Sequence, residues 1–273
     1  MKAKNALFLI FVLVAFLLQA CTEPIPEKPE EEKPVSLVNK LKSYRDVMFP
    51  KTGMDYYYNS EGLIEKIDLI VDNKVDLVQQ FFYKDGLLST MASNTVVTSP
   101  GQPLHSNVFT YKHSGSQIVE ISVQRTSNIP VDTTPMIYTF TYDLRGFGKT
   151  RKLEYIRDGK KDVYYIERLT TDAKGNVTKL ERDFYHEGVF RNTVLELREY
   201  DNKVNPLYKV ISPILLEEYL CPNNLTKLTS VGNTTGSTHT DFYTYEYNAA
   251  GLPSKITTKT ESFTYAITRE YYK

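Results

Sequence analysis

Side chains with chemistry to offer are scattered along this chain, and their spacing decides what they can do. The four histidines, His105, His113, His186 and His239, share no metal-ligand spacing, and no His-Glu-x-x-His pair occurs. His113-Ser114-Gly115-Ser116 sets serine beside histidine but lacks the Gly-x-Ser-x-Gly elbow that exposes a nucleophile, so Ser114 and Ser116 read as turn residues. Carboxylates are numerous and evenly spread, and no acid–base pair of the glycosidase kind stands out. No Gly-rich phosphate loop is present. These residues predict no catalytic group, no metal site and no cofactor. The expectation is a protein that is not an enzyme, with a hydrolase as the remotest alternative.

Cysteine is the exception, because only Cys21 and Cys221 occur. Lys2 and Lys4 precede an apolar run over residues 6–18. As a helix that run reaches about 20 Å, against the roughly 30 Å of a bilayer core, which is the pattern of a removable secretory signal over residues 1–20. Leu18-Gln19-Ala20-Cys21 resembles the bacterial lipobox, although Gln19 departs from the small or β-branched residue usual there. The resemblance implies cleavage before Cys21 and acylation of that residue, and two or more acyl chains anchor stably. Cys221 is then left without a disulfide partner and reads as a small apolar core residue.

Residues 22–34 hold four prolines, five glutamates and two lysines, which predicts a semi-rigid tether with nothing to bury. Thr22 after the cysteine, by resemblance to Gram-negative lipoprotein sorting, implies the outer membrane. Glu30-Glu31-Glu32 is similar to signals for surface export, which implies the cell surface; the periplasmic face is the alternative. The folded part is read as one repetitive domain over residues 35–273.

That domain has to position whatever binds. Charge is balanced, 33 basic against 33 acidic residues, so no basic patch for nucleic acid is indicated. Tyrosine occurs 21 times and tryptophan not at all, a composition that suits pleated, half-buried surfaces. One unit recurs: Tyr56-Tyr57-Tyr58-Asn59-Ser60-Glu61-Gly62-Leu63-Ile64 aligns with Tyr245-Glu246-Tyr247-Asn248-Ala249-Ala250-Gly251-Leu252-Pro253. Weaker copies stand at Tyr142-Asp143-Leu144-Arg145-Gly146 and Thr171-Asp172-Ala173-Lys174-Gly175. An Asn or Asp starts a turn by bonding the backbone two residues on, and glycine closes it in the left-handed region. Each unit therefore predicts a β-hairpin, with Gly62 and Gly251 at positive φ. Asp85-Gly86, Asp158-Gly159 and the reversal at Glu187-Gly188 predict shorter hairpins.

Roughly 15 strands in up-and-down order follow, an all-β antiparallel meander curled into an open or closed barrel. A membrane-spanning barrel needs one face of each strand free of charge. Lys179, Glu181 and Asp183 lie on one face of their strand and Arg182 on the other; Arg151 and Glu154 likewise lie on opposite faces. The barrel is therefore expected to stand outside the bilayer. Ser212-Pro213 followed by Leu215, Leu216, Tyr219 and Leu220 predicts one short helix, read as a plug over an end of the sheet.

The Tyr-(Asp/Asn)-x-x-Gly units resemble the YD repeats of secreted bacterial proteins. Together with Tyr200-Asp201-Asn202-Lys203, Asn205-Pro206 and Pro222-Asn223-Asn224-Leu225-Thr226-Lys227, they resemble a Gram-negative lipoprotein family of unknown function with a porin-like fold. The resemblance spans residues 37–272, fits poorly over 92–135, and implies a barrel without an activity. The expected partners are the membrane, through Cys21, and an extracellular glycan, peptide or protein; a structural scaffold of the envelope is the alternative. No ligand-binding residue is assigned. Recognition is expected in the irregular segments 98–106 and 127–135 or beside 201–224.

Overall fold

Four loops with the same hydrogen bonds set the architecture. The structure, a computed structural model, describes residues 40–96, 104–129, 133–208, 221–232 and 236–273. Between β2 (Gly53–Tyr58) and β3 (Ile64–Val71), Asn59 N–H donates to Leu63 O and Gly62 N–H to Asn59 O, both at 2.9 Å. The Asn59 side chain accepts from the N–H groups of Glu61 and Leu63. The same set recurs at 143–147, 172–176 and 248–252. Those loops join β8 (Met136–Tyr142) to β9 (Gly148–Arg157), β10 (Lys160–Thr171) to β11 (Val177–His186), and β14 (Thr238–Tyr247) to β15 (Pro253–Lys259). Copies that are weak by sequence are thus equal by geometry. Gly62 and Gly251 have φ of 73° and 75°, as the repeat predicts.

A methyl at Gly251 would meet nothing within 4 Å, whereas at Gly175, where φ is 94°, it would lie 2.5 Å from the Phe147 ring. Gly251→Ala should therefore cost only backbone strain, about 1 kcal/mol, while Gly175→Ala adds a collision and should cost about 2–4 kcal/mol in urea denaturation. Equal costs would show that Phe147 yields freely.

Asp85-Gly86, Asp158-Gly159 and Glu187-Gly188 have both residues at positive φ, as does Asp72-Asn73, a turn with no glycine to announce it. Such turns match the right-handed strand twist. They connect β4 (Lys74–Lys84) to β5 (Leu87–Thr95), β9 to β10, β11 to β12 (Val189–Val204), and β3 to β4. The remaining strands are β1 (Leu41–Asp46), β6 (His105–Ser114), β7 (Gln117–Ser127), β13 (Asn223–Gly232) and β16 (Thr264–Tyr271).

Each strand pairs antiparallel with the next, and β1 pairs with β16 through Leu41↔Tyr271 and Tyr44↔Arg269, so the barrel is closed. It has sixteen strands, in keeping with the roughly fifteen expected. The stretch 92–135, where the resemblance fits poorly, lacks the Asn/Asp-x-x-Gly signature; β6 and β7 turn instead at Gly115, φ 58°. The helix expected at 212–220 lies outside the described residues.

Every odd-numbered strand carries a register shift near its first residue, at the same barrel end as the four repeated loops. Such a bulge leaves a ladder carbonyl without its regular partner and sharpens the local twist. In seven of eight hairpins, an inward side chain of the following strand fills the gap. Tyrosine hydroxyls donate from Tyr58 to Leu41 O, Tyr83 to Ile64 O, Tyr142 to Ile118 O, Tyr200 to Val177 O, Tyr245 to Leu225 O and Tyr271 to Pro253 O, at 2.6–2.9 Å. His113 Nε2 donates to Leu88 O at 2.8 Å. The repeat tyrosines therefore pack and also staple the bulges. The exception is the β9–β10 hairpin, where Gly148 lies against Leu169 instead.

The buried apolar cluster lines the inner face of β1–β9: Tyr56, Ile67, Phe81, Met91, Tyr111, Ile121, Val123 and Leu153 are each at most 6% exposed. Leu207, from the connection after β12, packs into the same cluster. Ion pairs dress the outer face around the barrel, among them the cross-strand pairs Arg45–Asp55, Lys112–Glu120, Arg168–Asp183 and Lys255–Glu246 and, within β9, Lys152–Glu154.

Candidate functional site: an ionic ladder between an aromatic rim and a polar cavity

The inner face of β9–β12 differs from the apolar wall. Strand pairing sets Arg151 opposite Glu167, and Glu167 opposite Arg182. Arg151 grips Glu167 through two nitrogens, Nη2 at 2.9 Å to Oε1 and Nε to Oε2, and Arg182 Nε reaches Oε1 at 2.5 Å. Arg182 Nη1 lies 3.9 Å from Glu196 Oε1, and Arg198 closes the series on Glu196 Oε2. Glu167 is fully buried and Arg151 and Arg198 nearly so. Three guanidiniums thus meet two carboxylates in the interior, an excess of positive charge. In the sequence Arg151 and Arg182 stand out as charges on a second strand face, whereas Glu167 and Glu196 do not. Their signal was opposite charge at inward positions of consecutive strands, which register alone reveals.

One end of the ladder meets aromatic rings. Arg151 and Arg182 lie 6.0 and 5.5 Å from the centroid of Tyr165, and Arg182 lies 5.9 Å from that of Phe184. Tyr164 sits at the β9–β10 register shift and is 41% exposed. Its ring makes edge contacts with Tyr155 at 5.3 Å and Phe184 at 5.9 Å, and Tyr165 touches Phe184 in turn. Arg157 lies over Tyr155 at 5.5 Å. None of these rings belongs to the repeated Tyr-(Asp/Asn)-x-x-Gly positions. Burial raises the Tyr165 hydroxyl well above the usual tyrosine range, so it stays a neutral donor.

At the other end Arg198 lines a cavity of about 110 Å³, partly open to solvent, between β12 and β16. Arg269, Asn205, Asn224, Thr258, Leu225, Ile256 and Ile267 share its wall with Tyr200, Tyr243, Tyr245 and Tyr265. At its edge Asp201 accepts from Tyr247 Oη, Asn224 Nδ2 and the N–H groups of Lys203 and Asn224. Burial and then Asp201 push the Tyr247 hydroxyl upward. Asn176 and Asn223 exchange bonds at 3.0 Å, Asn223 Nδ2 reaches Lys203 O, and Asn205 Nδ2 reaches Cys221 O. The residues that carried the family resemblance over 200–227 are therefore the staples that hold the β12–β13 connection.

Cys221 is 1% exposed and packs among Val177, Leu180 and Tyr200, the core position expected of it. Cys21 lies outside the described residues. Of the histidines, His113 serves the bulge at Leu88 and His239 contacts Asp241 at 2.7 Å. Among the described residues no three His, Cys, Asp or Glu groups are placed to hold a metal. The connections containing 98–106 and 127–135 leave from the barrel end opposite to that of 201–224. Residues 97–103, 130–132 and 209–220 within them lie outside the described residues.

Among solved structures the chain is similar to a porin-like protein from Bacteroides vulgatus ATCC 8482, at 12% identity and TM-score 0.49, over 85% of this chain and 99% of that one. It is also similar to a porin-like protein from Bacteroides uniformis ATCC 8492, at 12% identity and TM-score 0.46, over 88% and 99%. No family model and no curated protein matches the chain.

Proposed function

We propose that this chain is an exported, acyl-anchored envelope barrel that binds an extracellular glycan and transforms nothing. The observation that carries the reading is the ring cluster of Tyr155, Tyr164, Tyr165 and Phe184, outside the repeat positions and backed by the ladder arginines. Tyrosine offers an apolar face with a polar edge, which suits a sugar ring, and guanidiniums supply directed donors to its oxygens. A scaffold role would call for a contiguous apolar outer patch, whereas the outer face is laced with ion pairs. Those same pairs support a barrel in water, since a Lys or Arg facing lipid at mid-bilayer costs about 2–4 kcal/mol.

Glycan arrays probed with the full chain should give hits that Tyr164→Ala weakens at least tenfold, with each glycan recovered unchanged. Capture of peptides or proteins alone, with no glycan hit, would move the reading to a protein partner. Turnover of a hit, abolished by one Asp, Glu, Ser or His change, would make it an enzyme. For location, Cys21→Ser should shift the protein from the membrane to the soluble fraction and remove acyl labelling. A fully membrane-bound Cys21→Ser protein would refute the anchor.

A further inference from the structure

We propose a second binding site, distinct from the aromatic rim: the cavity between Arg198 and Arg269 takes a small carboxylate with an apolar or ring-shaped body. Arg269 Nε is buried with no hydrogen-bond partner among the described residues. No ion pair joins Arg269 to a carboxylate there; its guanidinium hydrogen-bonds the neutral Tyr271 hydroxyl and lies near that of Tyr44, neither of which balances its charge. A guanidinium held inside a barrel without an anion is costly, and an orphaned buried donor calls for a water or an ion. Arg198 adds the positive end of the ladder, already shared with Glu196. The nearby Asp201 cannot serve, because its oxygens are taken by Tyr247, Asn224 and Lys203. The local excess is therefore small, which fits one carboxylate better than a multiply charged oxyanion.

Shape narrows the ligand further. The planar guanidinium fork matches a carboxylate in two-point contact. Leu225, Ile256, Ile267 and the ring faces of Tyr243 and Tyr265 offer apolar walls that a compact ion such as phosphate would leave uncovered. A volume of about 110 Å³ admits several waters or a small organic acid.

The test titrates the full-length protein with benzoate and phenylacetate, with benzamide as neutral isostere and inorganic phosphate as compact oxyanion, read by calorimetry and ligand-observed NMR. Benzoate or phenylacetate should bind, with benzamide and phosphate at least tenfold weaker. Arg269→Gln should weaken carboxylate binding at least tenfold; should that variant not fold, Arg269→Lys, which keeps the charge and loses the fork, should show a clear loss. Tyr164→Ala should leave carboxylate binding unchanged, so failure here and failure of glycan binding are seen separately. The site is refuted by no binding of either acid, by benzamide or phosphate matching them, by an Arg269 variant that binds as the parent does, or by loss in Tyr164→Ala.

Discussion

Glu167→Gln should unfold the barrel at markedly lower urea, by about 3–5 kcal/mol, because breaking a buried pair from one side strands the other charge. The substitution keeps the shape of the side chain, so no cavity contributes. What changes is that Arg151 and Arg182, both within hydrogen-bond reach of Glu167, would face each other without an intervening charge. The carboxylate is fully buried, so water cannot take its place cheaply. The contrast is Lys112→Ala in the exposed outer pair with Glu120, which should cost at most about 1 kcal/mol. A Glu167→Gln protein as stable as the parent would mean that the ladder is hydrated and contributes little.

Replacing Tyr83, Tyr142 and Tyr271 together by phenylalanine should cost about 3–6 kcal/mol, since each change leaves a bulge carbonyl without its donor at about 1–2 kcal/mol. The three hydroxyls serve different hairpins, so their costs should add. In thermal unfolding the loss should lower Tm by on the order of 10 °C. Burial pushes the Tyr83 and Tyr142 hydroxyls up to about 12. The folded state then favours the neutral phenol relative to an unfolded tyrosine near 10. Stability is full below about pH 10 and falls as pH rises toward about 12, because the unfolded chain releases its protons first. The triple variant should show a shallower alkaline loss. A parent-like urea midpoint in that variant would reduce the tyrosines to packing residues.

Much of the fold was legible in local chemistry. Asn59, Asp143, Asp172 and Asn248 announce their turns because side chain and backbone act within five residues. Gly62 and Gly251 follow from the same geometry. The hairpin at Gly115 turns without that signature, so the repeat does not announce it. The site was far less legible. Arg151, Glu167, Arg182 and Glu196 are ordinary charges in ordinary strands, and only the bulge-set register brings them onto one face in contact. The hydroxyl role of Tyr83 or Tyr142 was hidden for the same reason, because its acceptor is a carbonyl displaced by a bulge about twenty residues away. The expected recognition segments lie in connections, whereas the unusual rings, Tyr164 and Tyr165, stand at a bulge inside a strand.

The closure between β1 and β16 bears on how the chain reaches this state. Every other strand pairing joins sequence neighbours, whereas Thr268 Oγ1 reaches Arg45 O across 223 positions and Tyr272 Oη reaches Tyr56 O across 216. Hairpin zipping is fast and needs little chain closure, while joining distant segments carries the largest entropic cost and comes late. Until then the nascent sheet exposes two unpaired edges, each a template for another copy. Aggregation during refolding should therefore be governed by the last strand: a chain lacking residues 264–273 should form its hairpins and then self-associate, and a peptide of β16 supplied in excess should suppress that association by occupying the open edge of β1.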